Sequence, residues 1–286
     1  MKTIQFKQQT LKTRGINHRQ GSFRYVELGE GEPGTPQNFN LRWVLSEPDF
    51  FSPRHRHNFD QARVQLRGEF SFDDDGRMTP GTAGFFPEGT HYGPQTSRSD
   101  TVQLVMQIGG ASGNGYLSER ERIAAVDALA RQGEFRSGHY YPAGAPDGAA
   151  IDGFQAAWEH ARGQRLEYPP QRFSRPLICD PSAMHWVADA ERAGIFHKTL
   201  WDFGSRTIGL RLLRMESAGT IVLSGPISVF VLSGRIALRA ERVKPMSLQS
   251  QDVLHLQSGE LVPCTAEQSS ECIVFVHPTF SGSTPS

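Results

Sequence analysis

The chain has 286 residues and carries 30 Lys plus Arg against 30 Asp plus Glu, so its length suits two domains and its balanced charge gives no bulk attraction to nucleic acid or to an anionic membrane. No apolar run is long enough for a membrane span, and the polar first 13 residues lack the core of a signal peptide. Three cysteines, Cys179, Cys264 and Cys272, have no metal-ligand spacing and are typical of free thiols in a reducing compartment, so we expect a cytoplasmic protein.

The first 110 residues predict short β-strands. Segments rich in β-forming residues cover 23–28, 39–45, 62–72 and 101–108, and clusters of Gly, Pro and Asp separate them. This density of strands is typical of a jelly-roll barrel.

A helical pattern follows. Ser118 with Glu121 three residues later forms a capping-box sequence, and apolar residues at helical spacing predict a helix over 119–131. A second helix is predicted over 151–162, and Pro169-Pro170 marks a boundary. The stretch from 113 to 170 is therefore interpreted as a helical connector.

Strand patterns return after residue 173, and the second half is similar to the first. Residues 229–235 align with 63–69, and residues 251–259 align with 81–89. The sequence predicts three parts: a first barrel over 1–112, the connector over 113–170 and a second barrel over 171–286.

The histidines of the first half have the spacing of metal ligands. His55 and His57 alternate, so in a strand both imidazoles face the same side. Gln61 follows, and the turn at 87–91 brings a third imidazole, His91. Three nitrogens and a carboxamide oxygen suit a borderline divalent metal better than calcium or magnesium.

These residues resemble the two motifs of the cupin family, G-x5-H-x-H-x3,4-E-x6-G and G-x5-P-x-G-x2-H-x3-N. Residues 55–68 follow the first motif, with Gln61 in place of the usual Glu and without the opening glycine. Residues 81–91 follow the second, with His91 one residue early and without the final Asn. The resemblance implies a mainly β fold, with two cupin jelly-roll β-barrels and a short helical connector.

The resemblance also implies a metal in the first barrel. His55, His57 and His91 are the expected ligands, with Gln61 as a weaker fourth ligand and Asp60 as its rival. One divalent transition metal is expected; Fe2+ is preferred, and Mn2+, Ni2+ and Zn2+ are the alternatives.

The second barrel is expected to be metal-free. The aligned ligand positions are all apolar: Ile221, Leu223, Ile227 and Leu261. Aliphatic side chains do not coordinate metals, and together they would fill a barrel.

Three further residues are candidate catalytic groups. Arg63 and Gln65 share the parity of Gln61, and an inward Arg63 would suit a carboxylate or enolate substrate by bidentate hydrogen bonding. The alternative is a β-bulge that reverses the parity and leaves Arg63 on the surface. Tyr92, and with it Gln95, is expected at the cavity mouth.

The preferred function is a mononuclear metal-dependent enzyme that acts on a small organic substrate by non-heme iron dioxygenase chemistry. The alternatives are a redox-neutral metal-assisted lyase or isomerase, and a non-catalytic cupin that binds a small molecule or a metal. The expected partner is a small molecule rather than nucleic acid or a membrane. A homodimer is also expected, since the apolar outer sheets of cupins commonly pair.

Overall fold

The computed structural model describes residues 1–15, 22–33, 35, 38–112, 116–146, 149–204, 206–239 and 246–279. The chain forms two compact units, one of residues 11–179 and one of residues 1–10 together with 180–286. This grouping differs from the sequence-based division at residues 112 and 170, because strand pairing draws the first residues to the second barrel and residues 177–179 to the first.

Strands and two α-helices make up the regular structure. In chain order they are β1 (Lys2–Ile4), β2 (Lys12–Gly15), β3 (Ser22–Glu30), β4 (Phe39–Ser46), β5 (Phe51–Ser52), β6 (Phe59–Arg67), β7 (Phe70–Ser71), β8 (Arg77–Met78), β9 (Ala83–Phe86), β10 (Gln95–Ser97), β11 (Thr101–Gly109), α1 (Glu119–Leu129), β12 (Gly133–Arg136), β13 (His139–Pro142), β14 (Ile151–Asp152), α2 (Gly153–Arg162), β15 (Leu177–Cys179), β16 (Val187–Ala188), β17 (Ile195–Trp201), β18 (Gly209–Met215), β19 (Thr220–Ser224), β20 (Ile227–Leu238), β21 (Met246–Gln249), β22 (Val253–Leu256) and β23 (Leu261–Val276).

The first unit contains an antiparallel jelly-roll barrel. Its larger sheet has the order β15-β9-β6-β11-β4-β3-β2, and its smaller sheet has the order β5-β10-β7-β8. The interior strand β6 is buried on both faces from Phe59 to Gln65. One set of alternate side chains faces the inside of the barrel, and the other set is covered by packing on its outside.

The helical segment of the first unit largely follows its sequence signals. Ser118 and Glu121 form the predicted capping box, and α1 begins at Glu119. Helix α2 is capped by the side chain of Asp152 and ends at Gly163, which has a φ of 65°. The antiparallel sheet β12-β13-β14 was not predicted, because the glycine- and proline-rich stretch after residue 138 has the composition of a loop.

The second unit is an antiparallel barrel of nine strands. Its main order is β1-β22-β20-β23-β18-β17-β16, with β19 paired to β23 and β21 paired to β20. Among the described residues, no helix is long and apolar enough to cross a membrane.

Aliphatic side chains fill the second barrel. Leu223 and Ile227 are buried in one cluster with residues of β18, β20, β22 and β23, and Ile221 packs against that cluster. Leu261 does not join them, since its side chain is 64% exposed while the next residue, Val262, is buried. Three of the four aligned positions therefore contribute to an apolar interior, and the strand alternation turns the fourth outward.

Candidate active site in the first barrel

A cavity of about 160 Å³ lies inside the first unit, and alternate residues of three neighbouring strands line it. In β6 and the segment before it, these residues are His55, His57, Phe59, Gln61 and Arg63. In β4 and β11 they are Asn40, Arg42, Val44, Ser46, Gln103, Val105 and Gln107. Because residues i and i+2 share a face of a strand, the pleat alone gathers this polar set at one point.

The cavity has a polar, acid-free lining with aromatic walls. Within the described part of the chain, the lining contains two histidines and three arginines but no aspartate or glutamate. Aromatic rings close the remaining sides, namely Phe23, Phe50, Phe70, Tyr116 and Phe154. Such a lining suits a neutral or anionic ligand better than a cationic one.

His55 presents one nitrogen to the cavity interior. Its Nδ1 lies 2.6 Å from the carbonyl oxygen of Pro53, an acceptor, so we assign the proton to Nδ1. Nε2 then carries the lone pair and lies 3.3 Å from the amide nitrogen of Gln95, which donates to it. A backbone carbonyl that fixes the tautomer in this way is the usual support of a metal-ligating histidine.

His57 is held beside His55 by aromatic packing. The two imidazole centroids are 4.8 Å apart, and the His57 ring stacks on Phe59 at 4.4 Å. Phe154 of α2 approaches the same ring edge-on at 4.9 Å. The predicted pairing of two imidazoles on one side of the chain is therefore present in the structure.

Arg63 points into the barrel and organises two amides. Its Nε donates to Oε1 of Gln61 at 2.5 Å, and its Nη1 donates to Oε1 of Gln95 at 2.9 Å. Burial lowers the pKa of the Arg63 guanidinium, and its electrostatic interaction with Tyr92 opposes that effect. The register between β6 and β11 shifts only at Val102/Gln103, so Arg63 keeps the parity of Gln61.

Gln65 and Tyr92 are buried beside the cavity without lining it. Gln65 donates to the carbonyl oxygens of Arg67 and Gly68 and accepts from the Gln103 amide at 2.6 Å. Tyr92 packs with Phe70, Phe72, Met78 and Phe86, and its ring centroid is 4.7 Å from that of His55. Both side chains support residues that line the cavity.

His91 lies apart from this cavity. The backbones of His55 and Tyr92 form an antiparallel bridge, so Tyr92 shares the inward direction of His55 and His91 takes the opposite one. The Nδ1 of His91 is 3.4 Å from the amide nitrogen of Gln171. Partial burial and the nearby charges of Arg56 and Arg54 lower the pKa of His91.

The spacing from Gly89 explains why His91 faces away from the cavity. The family spacing puts its histidine three residues after the glycine, at the position that Tyr92 occupies here. The second barrel shows the same parity after Gly259, where Leu261 is exposed and Val262 is buried. In both halves the third residue after the turn glycine faces inward.

Position 89 requires glycine, because the backbone at Pro169 passes too close to it for a side chain. Its φ is +74°, its N–H donates to the carbonyl oxygen of His57 at 2.7 Å, and an added Cβ would lie 2.5 Å from the carbonyl oxygen of Pro169.

We expect Gly89→Ala to lower the free energy of unfolding by more than about 2 kcal/mol, since backbone strain of about 1–2 kcal/mol adds to this clash. Gly81→Ala is the matched control, because Gly81 has a φ of +91° and no atom near its added Cβ. Urea unfolding of both variants would show an equal loss if the contact with Pro169 is unimportant.

Asp60 faces away from the cavity, as its parity in β6 requires. Its Oδ1 accepts from the Glu88 N–H at 2.9 Å and from Arg172 Nη2 at 2.7 Å. Burial raises the pKa of Asp60 to about 7 despite the attraction of Arg172. The structure therefore brings Gln61, rather than its neighbour, to the side of the histidines.

Sequence reasoning missed the polar residues of the opposite strands. Asn40, Arg42, Gln103 and Gln107 all line the cavity. The signal was present, because the two residues of each pair share one face of a predicted strand whose other residues are mostly apolar. The positive charge of Arg42 is neutralised by its ion pairs with Glu27 and Glu119.

The residues present match a metal only in part. His55, His57 and Gln61 line one cavity, and the supported tautomer of His55 fits a borderline divalent metal. In the described ranges, no group of three or more His, Cys, Asp or Glu side chains is arranged to hold a metal. Two imidazoles and a carboxamide oxygen are thus the donor set that this cavity offers.

The chain resembles solved structures over nearly its whole length. A Nostoc punctiforme protein, provisionally named a dioxygenase, has a TM-score of 0.61 at 13% identity, over 99% of this chain and 84% of that one. A Pseudomonas aeruginosa protein, provisionally named glyoxylate-induced, has 0.59 at 13%, over 96% and 86%. Oxalate decarboxylase from Bacillus subtilis, which has Mn(II) centres, has 0.54 at 12%, over 98% and 78%.

No protein-family model and no curated protein matches the sequence. The structural likeness therefore rests on the fold alone. The chain has a mainly β fold of the jelly-roll type, similar to that of these proteins.

Proposed function

We propose that the first barrel is the active site of a metal-dependent enzyme that acts on a small organic molecule. The observation that carries the proposal is the His55–His57 pair lining one cavity, with the same-parity amide of Gln61 beside it. The second barrel supports a single site per chain, since Leu223 and Ile227 lie there in a cluster of apolar side chains at the positions aligned with His57 and Gln61.

His55, His57 and Gln61 are the residues that would hold the metal. A divalent metal bound by neutral ligands keeps its full charge and supplies Lewis acidity toward a bound carboxylate, enolate or water. The Pro53 carbonyl orients His55, and the Arg63 Nε–H orients the amide oxygen of Gln61. The rings of Phe59 and Phe154 exclude water from the side of His57.

Non-heme iron dioxygenase chemistry is the preferred reaction type, and a redox-neutral lyase or isomerase is the alternative. The similar structures include a protein provisionally named a dioxygenase and an oxalate decarboxylase with Mn(II) centres. Each of the two reaction types is therefore supported by a protein of similar fold. Oxygen consumption during turnover separates them, because a redox-neutral reaction requires none.

The test is the metal content of the purified protein. We expect about one equivalent of iron, manganese, nickel or zinc in the wild type, and its loss in His55→Ala/His57→Ala, because a metal site needs most of its ligands to hold a metal. His91→Ala is the matched control and should retain the metal, since His91 lies outside the cavity.

A wild-type protein that remains metal-free after reconstitution would contradict the proposal and would favour a bicupin that only binds a ligand. Equal loss of metal in His91→Ala and in the double variant would show that His91 is a ligand after all.

A further inference from the structure

Arg63 is a buried cation with no acidic partner among the described residues. The residue is 7% exposed, and its guanidinium donates to the neutral amide oxygens of Gln61 and Gln95 and lies 5.9 Å from the centre of the Tyr92 ring. The rings around it add no charge; that of Phe86 lies 4.8 Å from the guanidinium carbon. A buried charge is costly unless a counter-charge or a ligand compensates it.

The other arginines of the cavity show how this fold compensates such charges. Arg42 forms ion pairs with Glu27 and Glu119, and Arg122 forms one with Glu119 at 3.1 Å. Among the described residues, the lining of the cavity contains no carboxylate. Within this part of the chain, Arg63 is therefore a position in the cavity where positive charge is left for a ligand to neutralise.

We propose that Arg63 binds the carboxylate of a small amphipathic monocarboxylic acid in this cavity. A guanidinium has five N–H donors, and the bonds to Gln61 and Gln95 use two of them, so donors on Nη1 and Nη2 are left for a carboxylate. Gln61 and Gln95 hold the guanidinium plane from two sides, so little side-chain freedom is lost when the anion binds.

The size and walls of the cavity define the rest of the ligand. A volume of about 160 Å³ is close to that of protein cavities that hold a benzene ring. Phe23, Val44, Phe50, Val105 and Phe154 provide an apolar lining for a short aliphatic or aromatic body. One uncompensated cation matches one negative charge, so the ligand is a monoanion rather than a dicarboxylate.

This inference deepens the proposed function and rests on it for the choice of cavity, but it does not require a metal. Its test therefore uses the full-length protein after removal of metals with a chelator. Calorimetric titrations compare benzoate with benzamide, its neutral analogue of nearly equal shape, and with the dianion phthalate. Butyrate serves as an aliphatic monocarboxylate.

We expect benzoate or butyrate to bind with one-to-one stoichiometry. Benzamide and phthalate should each bind at least about tenfold more weakly than benzoate. Benzamide loses the charge-assisted hydrogen bonds to Arg63, and phthalate brings a second negative charge that has no partner in the cavity. Equal affinities of benzoate and benzamide, or no saturable binding of either monocarboxylate, would overturn the proposal.

Two variants locate the binding. Arg63→Met should bind benzoate about tenfold to a hundredfold more weakly, whereas Arg63→Lys keeps the charge and should retain part of the affinity. Arg77→Met is the matched control, since Arg77 has a side chain that is 72% exposed, and it should bind as the wild type does.

Thermal shifts of the same proteins check folding. Saturating benzoate should raise the melting temperature of the wild type and of Arg77→Met but not that of Arg63→Met. Unchanged benzoate affinity in a folded Arg63→Met would also overturn the proposal. The metal content of the untreated wild type is measured separately. Benzoate binding by a wild type that holds no metal even after reconstitution would contradict only the metalloenzyme assignment, and one equivalent of metal without benzoate binding would contradict only this inference.

Discussion

Replacement of Tyr92 by histidine is expected to raise the affinity of the first barrel for a divalent transition metal. Tyr92 occupies the third position after Gly89, bridges to the backbone of His55 and has its ring 4.7 Å from that imidazole. A histidine there would face the same side as His55 and His57. Outer-shell partners already change metal affinity by about 10–100-fold, so an added direct ligand should contribute at least that much.

The measurement is a competition titration with a chelator and Zn2+ or Mn2+, on Tyr92→His and on wild type. The substitution also leaves a smaller ring among Phe72, Met78 and Phe86, so we expect the metal-free variant to melt at a lower temperature. Added metal should restore that melting temperature, because a ligand that binds only the native state stabilises it.

Thr96→His is the control, because Thr96 follows the cavity-lining Gln95 in β10 and so takes the opposite face of that strand. It should bind metal as the wild type does. Equal metal affinity of Tyr92→His and wild type would contradict the assignment of position 92 to the ligand side of the turn.

Acidification is expected to destabilise the second barrel through one histidine. His277 is half-buried, and its Nε2 lies 2.7 Å from the hydroxyl oxygen of Ser228, which is also 2.7 Å from Nδ1 of His255. Burial, with the nearby His255, lowers the pKa of His277 from 6.5 to about 3. The folded barrel therefore holds this imidazole neutral.

The sign of the effect follows from proton linkage. The unfolded chain binds a proton at His277 below pH 6.5, whereas the folded chain does not until about pH 3. The stability is fully present above pH 6.5 and falls as the pH is lowered. At about 1.4 kcal/mol per pH unit, the loss attributable to this residue between pH 7 and pH 5 is about 2 kcal/mol.

Denaturant unfolding at pH 7 and pH 5 measures this loss. His277→Gln should have a smaller difference between the two pH values than wild type, since glutamine is neutral at both. His185→Gln, at an exposed position of the same unit, is the matched control and should have the pH dependence of the wild type. An unchanged pH dependence in His277→Gln would show that another group causes the acid sensitivity.

Local physics accounts for the part of the fold that was predictable. The capping box at Ser118 and Glu121 set the start of α1, and β-forming segments marked β4 and β11 within one or two residues. Strand alternation also put His55 and His57 on the side of Gln61. These features depend on neighbours within a few residues, so the sequence alone carries them.

The limits of the sequence appear where a residue must be assigned to one side of a turn. Alignment to the family motif selected His91, but the bridge between His55 and Tyr92 determines that the inward position is one residue later. Leu261 shows the same limit in the second barrel, where it was expected inside and is exposed. A one-residue difference reverses the face of a strand, and only the pairing register fixes it.

By itself, the sequence determined the class of this protein: two β-barrels, one with a His-x-His pair and a polar lining, and one with aliphatic residues in the equivalent positions. Only the tertiary structure decided which side chains share the cavity, because Asn40, Gln103 and Arg63 come from strands that are distant in sequence. It also decided that Arg42 is neutralised by Glu27 and Glu119, while Arg63 donates to the neutral amides of Gln61 and Gln95. The balance of charge around a buried group depends on the whole packing environment, which no short segment specifies.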